Sequence, residues 1–597
     1  IKGYQSRITK WAEFPYFAKN LLMDIISFHV HMDAPDTHTF TVHMHLPALG
    51  GDTLEVQLPV WTPGSYLIRE YARHINTLQA RNEQHVLPVE KTHKNSWKIQ
   101  TAGTACVIIY SVYAFEESVR TCWLDDTRAS IIPAAMFLHI PEVALPVHLH
   151  IHPYAGFSEI ATALPEYQGD KWQRYAENAD TLYDSPIEIG NHKTYHFDAA
   201  GIPHTFVIAG EGNYQPAKMI EDFKRIIDTE VRIFQHHPCP AYLTILQTSN
   251  TMRGGLEHMD STSLIFKRLQ FEPRESYLEF ISLFAHEYFH LWNVKRLRPK
   301  ALGPFAYGEE NYTTSLWIAE GFTSYYDDLI VYRAGLYSEQ EYLHVVEKNI
   351  NQSENAPGKH VQSVAEASFD AWIKYYRQNE NSDNNQVSYY VRGGVIANLL
   401  DLLIIHHSGA TYCLDDVMRE AYHQFYINRN TGYTEDEFRE ILTSFAGIDL
   451  LDFYADHIFG TKPLPLQTVF GYAGLELHNT LEQTIETDHG IVMNDRFIIT
   501  SIRKNSAGEK GGLYVFDEVL AINGYRMHAG LQATLMQQMA AGETLQYMVS
   551  RAGFIQTRTI TVQATDKVQY ILKPAAQLTA AQQRTYAKWM YRVSEND

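Results

Sequence analysis

One five-residue run constrains this chain more than any other part of it: His286-Glu287-Tyr288-Phe289-His290, within a stretch from Ser276 to Val294 that contains neither Pro nor Gly. Apolar residues recur through that stretch at three- and four-residue spacing, which predicts a helix. Side chains four apart on a helix share a face, one turn apart. Two imidazoles placed so can grip one zinc ion, and the carboxylate beside the first can reach a water on it. The neighbours Leu283, Phe284, Phe289, Leu291 and Trp292 are apolar, so these polar groups are expected to face an interior cleft rather than solvent.

A catalytic zinc takes three protein ligands and keeps one position open. The next strong helical segment, TTSLWIAEGFTSYYDDLIVYRAG, ends at Gly335, a helix-capping residue type, and carries Glu320. Glu320 is the expected third ligand beside His286 and His290. Its rivals Glu309 and Glu310 precede that helix, in a loop. Ser324, one turn beyond Glu320, is placed to support a ligand.

HEYFHLWNVKRLRP, GEENYTTSLWIAEGFTSYY and the upstream GGLEH together resemble the M61 family of metallopeptidases, the glycyl aminopeptidases. That family belongs to the gluzincins, whose third zinc ligand is a Glu. The resemblance implies a hydrolase with one Zn2+ per chain. It would remove small N-terminal residues, Gly and Ala, from peptides with a free N-terminus, through a zinc-bound water activated by Glu287. It also implies a multidomain α+β fold: an N-terminal β-rich domain, a mainly helical thermolysin-like catalytic domain and a C-terminal PDZ-like β domain. Gly254-Gly255-Leu256-Glu257-His258 lies about thirty residues before the zinc helix and resembles the strand motif by which related aminopeptidases bind the substrate amine. By that match Glu257 pairs with the ammonium group, alongside Gly254 and Gly255, and His258 stands where many related enzymes carry Asn. Ser388 to Gly394 resembles a Tyr-x-Lys-Gly pattern with Arg392 in the Lys position. The oxyanion donor carried over is Tyr390, with Tyr389 its rival.

The pattern along the chain agrees with several domains. Residues 1–23 read as a leader- or tag-like segment without a continuous apolar region. In 24–215 strands dominate: Phe40, Val42, Met44 and Leu46 alternate with polar residues, as do Val147, Leu149 and Ile151 with His148, His150 and His152. Turn signals such as Thr62-Pro63-Gly64-Ser65 separate them. Residues 216–465 read as helical, and TKPLPLQ as a linker. In 466–567, Ser506 to Arg526 resembles the core of a PDZ domain, which takes an extended peptide as an added strand. A helix, TAAQQRTYAKWMYRV, falls in the tail 568–597.

Composition excludes other classes. The 597 residues carry 49 basic and 69 acidic side chains, a net charge of −20, which disfavours nucleic acid and anionic membranes as partners. The four cysteines form no CxxC pair, which argues against a thiolate zinc site and a disulfide framework and favours a cytoplasmic setting; removal of a leader would make it periplasmic or secreted. No apolar run reaches membrane-spanning length, so no span is expected. The His148, His150, His152 series is expected to be a solvent face, since same-face neighbours on a strand are about 7 Å apart; His43 and His45 read the same way. Other readings of the chain are an endopeptidase with the same metal site, or a PDZ-bearing adaptor with an inactive peptidase domain.

Overall fold

The computed structural model describes residues 25–592 apart from 483–486, 537 and 539, so the leader-like segment 1–23 lies outside the described residues. The chain is a multidomain α+β protein, β-rich at the N-terminal side and helical further on. It divides into two compact units. One comprises residues 1–228, 237–291 and 305–310, and the other 229–236, 292–304 and 311–597.

The first unit contains four sheets among the described residues, and two of them matter most for the site. In an eight-stranded sheet, β1 (Ile26–His31) pairs antiparallel with β2 (Thr39–Leu46), and β2 pairs antiparallel with β3 (Cys106–Tyr113). The other edge of β1 pairs in parallel with β4 (Val147–His152). Period-two patterning does what it predicts: Phe40, Val42, Met44 and Leu46 enter the core, none more than 4% exposed. The five-stranded second sheet holds β5 (Ile202–Ala209), β6 (Tyr242–Ser249), β7 (Gly254–Glu257) and β8 (Ser261–Lys267). Strand β6 lies between two parallel neighbours and is buried along its whole length, which suits its run of Leu, Ile and Thr. Strand β7 is the sheet's edge and runs antiparallel to β8.

Helix α1 (Arg274–Phe289) packs on β7 and β8. It ends with His290 as its cap, short of the Val294 to which the Pro- and Gly-free stretch extends. The His290 N–H still bonds the His286 carbonyl, but Leu291 closes a tighter turn onto Tyr288 and Leu297 a wider one onto Trp292. A sequence without helix breakers permits a helix; these tertiary turns stop it.

The second unit is mainly helical, with a β-rich C-terminal part. Helix α2 (Thr323–Arg333) follows a π-helical turn, Trp317–Phe322, and Gly335 beyond it takes the left-handed conformation expected of a cap. Helix α3 (Tyr389–His407) is almost wholly buried. Contrary to the expectation that no apolar run is long enough, Ser382–His407 could cross a membrane by length and composition; 78% of its apolar window is buried inside the protein, which is how a core helix satisfies the same test. Further on, four antiparallel strands between Glu518 and Thr561 enclose a small core that includes Leu513, Val519 and Ile522. The tail helix α4 (Ala580–Trp589) forms where expected, started by a Thr579–Gln582 capping box and anchored by the buried Trp589.

Candidate active site

In the first unit, α1 presents His286 and His290 on one face with their rings 4.7 Å apart and perpendicular. Between them, Tyr288 points the opposite way and shares its hydroxyl with His204 Nε2 at 2.9 Å and His237 Nε2 at 2.8 Å. That clamp fixes the helix's rotation and so the direction of the histidine face. Glu287 is 5% exposed. Burial pushes its carboxyl up to about 7; His286 and His290 pull it back, while Glu257 pushes further up.

Glu257, at the end of β7, is as buried as Glu287, and ligand atoms of Glu257, Glu287 and His290 all lie within 4.8 Å of one another. Glu257 Oε1 and Glu287 Oε2 are buried and accept no hydrogen bond among the described residues. Two buried, acceptor-only oxygens side by side call for a cation or a donor from outside the chain. This donor chemistry fits a metal ion and an ammonium group.

Two residues that sequence reasoning missed, Gly64 and Arg120, shape this corner together with Gly255 and His258. A Cβ on Gly255 would overlap the Glu287 carboxylate, and one on Gly64 the Glu257 carboxylate. Gly64 also holds φ +85°, which favours Gly. The sequence marked it only as part of a turn; nothing local says which side chain that turn approaches. Arg120, in the loop after β3, donates from Nη2 to the Gly255 carbonyl at 2.8 Å and so braces the edge strand from outside the sheet. Its own carbonyl accepts from the Tyr71 hydroxyl at 2.9 Å. The departure from the related pattern, His258, is buried with Nδ1 3.2 Å from Asp184, which also accepts the Met259 N–H at 2.7 Å. His258 therefore pins the end of the strand that carries Glu257.

Gly255 yields a direct prediction. In G255A the added methyl must push the Glu287 carboxylate aside, and a displacement of about 1 Å costs about 100-fold in kcat/KM. Metal content and melting temperature should change little. Kinetics within threefold of wild type would show that the close packing has no bearing on catalysis.

In the second unit, Glu320 sits in the π-helical turn, 2% exposed. Such turns widen the helix locally and recur at functional sites. Two devices hold this one. Asn293 Nδ2 donates to the carbonyls of Ile318 and Ala319 and to Thr323 Oγ1, each at 3.1 Å. Asn293 is three residues along the chain from His290. Sequence reasoning passed over this residue, although an Asn just past a helix end is a recognisable signal. Second, Gly321 packs on Gly393 of α3, where a Cβ on Gly321 would come within 2.6 Å of the Gly393 Cα. That approach brings Tyr390 near Glu320. Burial, and then Glu320, push the Tyr390 hydroxyl well above its ordinary pKa, and Tyr376 lies 3.3 Å from it. Ser388 caps α3 through the Val391 N–H at 3.2 Å.

The residues named from sequence thus fall into two groups. His286, Glu287, His290, Gly254, Gly255 and Glu257 meet in the first unit, and Glu320, Tyr389 and Tyr390 in the second.

The M61 N-terminal domain model matches residues 27–191, and the M61 glycyl aminopeptidase model matches residues 279–396. A solved aminopeptidase N family protein from Idiomarina loihiensis is 30% identical, with a TM-score of 0.89 over 95% of this chain and 100% of that one. The chain belongs to the M61 glycyl aminopeptidase family. More distant likenesses include an M1 zinc metallopeptidase mutant from Deinococcus radiodurans bound to a Tyr-Ser-Ala substrate. It is 11% identical, with a TM-score of 0.45 over 74% of this chain and 95% of that one. Legionella pneumophila aminopeptidase A in complex with aspartic acid is 13% identical, with a TM-score of 0.45 over 72% of this chain and 49% of that one. No curated protein matches the chain.

Family membership makes this M61 protein a metallopeptidase of the aminopeptidase kind. Arg392, in the position matched to Lys, is buried and turns to Ser353 Oγ at 3.2 Å and Glu354 at 3.5 Å. In this M61 chain it is accounted for by that ion pair.

Proposed function

We propose that this M61 protein is a zinc aminopeptidase that removes Gly and Ala from the free N-termini of peptides. The observation that carries the reading is the pair of buried carboxylates, Glu257 and Glu287, each with an oxygen that accepts nothing from the chain. A substrate ammonium group and a metal ion are the two cations such a pair suits. The preference for small residues rests on the family description.

The residues that would hold the metal are His286, His290 and Glu320, a set of two imidazoles and one carboxylate of the kind that binds zinc. Zinc bound there supplies Lewis acidity and makes hydroxide available near neutral pH. The chain's own residues do the rest. Glu257 binds the ammonium group and so fixes the scissile bond one residue from the N-terminus. Glu287, whose carboxyl burial tunes towards neutrality, accepts a proton from the attacking water and returns it to the leaving amine. Tyr390, held protonated by burial and by Glu320, donates its hydroxyl to the oxygen on which negative charge develops.

The test compares glycyl and alanyl substrates with and without N-acetylation. The free forms should be cleaved and the acetylated forms spared. E257Q should lose about 100-fold in kcat/KM on the free forms, the size of a lost buried charge pair. Equal cleavage of acetylated peptides would make the enzyme an endopeptidase. Absence of stoichiometric metal and of chelator-sensitive turnover would make it an adaptor.

The C-terminal β-rich part has its own proposed role as a PDZ-like docking module. Strand Ile491–Met493 pairs on one side only, with Ile499–Ile502, among the described residues. An open edge of this kind accepts an extended peptide as a further strand.

A further inference from the structure

The eight-stranded sheet carries a second collection of nitrogen donors on its outward face. The outward positions of β1, β2 and β4 include His29 and His31, His43 and His45, and His148, His150 and His152. Register places His29 between His43 and His150, and His31 beside His152. The rings touch throughout: His29 stacks on His150 at 4.3 Å and His31 on His152 at 4.2 Å.

The expected solvent face is therefore a packed imidazole layer. The strand repeat separates backbone positions by about 7 Å, but the rings lean together. His29 Nδ1 lies 3.0 Å from His152 Nε2, and His148 Nδ1 lies 3.1 Å from His150 Nε2.

Two ring nitrogens at this separation share one proton, or they share one cation. Zinc–imidazole bonds of about 2.0–2.1 Å in a tetrahedral arrangement put two ligand nitrogens about 3.3 Å apart. Both pairs are within a few tenths of an ångström of that. The surrounding charges favour these two pairs over the rest of the layer. Asp33 acts on the rings of His31 and His152, and Asp170 on that of His150. Arg81 acts on His43 and His45 and repels a cation from that end. The chain's net charge of −20 adds a general attraction for cations.

We propose that this face binds divalent transition-metal ions of the imidazole-preferring kind, one at His29–His152 and one at His148–His150. The bound ion replaces the shared proton, and water completes its shell. This site is separate in sequence from the HExxH motif and does not depend on the peptidase reading.

Copper(II) is the probe, because it binds imidazole most tightly of the candidate ions and its paramagnetic resonance reports nitrogen ligands directly. The full chain, preloaded with zinc and freed of excess metal, is titrated as wild type, H29Q/H152Q, H148Q/H150Q and the fourfold variant. Wild type should take up about two equivalents more than the fourfold variant at micromolar free copper, with nitrogen hyperfine coupling, and each double variant about one fewer than wild type. Cleavage of peptide substrates should be the same in all four. Should a double variant fold poorly, the single variants H152Q and H150Q, at part-exposed positions, read the same loss. A double variant that takes up as much copper as wild type removes its pair from the proposal. Equal uptake by wild type and fourfold variant, or uptake without nitrogen coupling, overturns it.

Discussion

The E287Q variant is expected to keep its fold and its metal while kcat/KM falls about a thousandfold. Gln has the shape of Glu but cannot take a proton from water, and general-base assistance contributes about 10²–10⁴-fold. The substitution leaves His286, His290 and Glu320 untouched, so metal content separates loss of the base from loss of the ion. Stability should hold or rise, because the change removes a buried carboxylate with an unsatisfied oxygen beside another carboxylate. Turnover, metal content and melting temperature are measured on one preparation. More than a tenth of wild-type turnover with full metal content would rule out Glu287 as the base.

The second large effect concerns stability. Arg333 is 1% exposed and donates from Nη1 to both oxygens of Asp415 at 3.0 and 2.8 Å. Tyr326 also donates to Asp415 at 3.0 Å. The neighbouring Asp401 accepts from Tyr325 and from the Leu414 N–H, and the Tyr325 hydroxyl in turn accepts from Trp589 of α4 at 3.2 Å. Arg333 is thus the cation for two buried carboxylates and the centre of the network that ties the tail helix to α2. R333M should cost about 3–5 kcal/mol, the usual price of leaving a buried charge unpaired. For an unfolding unit of about 300 residues that corresponds to a melting temperature lower by roughly 5–8 °C. The double variant R333M/D415L should recover much of the loss, since removing both partners leaves less uncompensated charge.

The deficit should also depend on pH. Burial, with Asp415 pushing the same way, raises Asp401 from 3.8 to about 6 in the folded protein. A raised folded pKa gives stability that is full below about 4 and lost as pH climbs through about 6. Removing Arg333 raises it further, so R333M should be less handicapped at pH 5 than at pH 8. Urea unfolding at the two pH values measures this. An R333M deficit under 1 kcal/mol at pH 8 would show that the network does not depend on the ion pair.

Elements set by local pattern were legible in advance. Alternation in Thr39–Leu46 and Val147–His152 fixes which side chains turn inward, because a strand's period is a property of its own backbone. The i, i+4 spacing of His286 and His290 likewise puts both rings on one face before any packing is known. Glu320 was proposed as the third ligand because a catalytic zinc can take a carboxylate from an adjacent helix. The π-helical form of its turn was not, since it is imposed by Asn293 and by the Gly321–Gly393 approach rather than by the residues of the turn itself. The early end of α1 and the burial of α3 were missed for the same reason: propensity and hydropathy describe a segment alone, and its neighbours decide its length and surroundings.

The order of residues alone therefore determined the donor types, their helical or strand face, and the chemistry those donors suit. Folding alone decided which distant groups meet them. Gly64 and Arg120 reach the strand of Glu257, and His29 reaches His152, across more than a hundred residues of chain. The physical reason is that spacing acts through the bonds of one element. A contact between elements depends on how two surfaces pack, and no single segment of the sequence contains both surfaces.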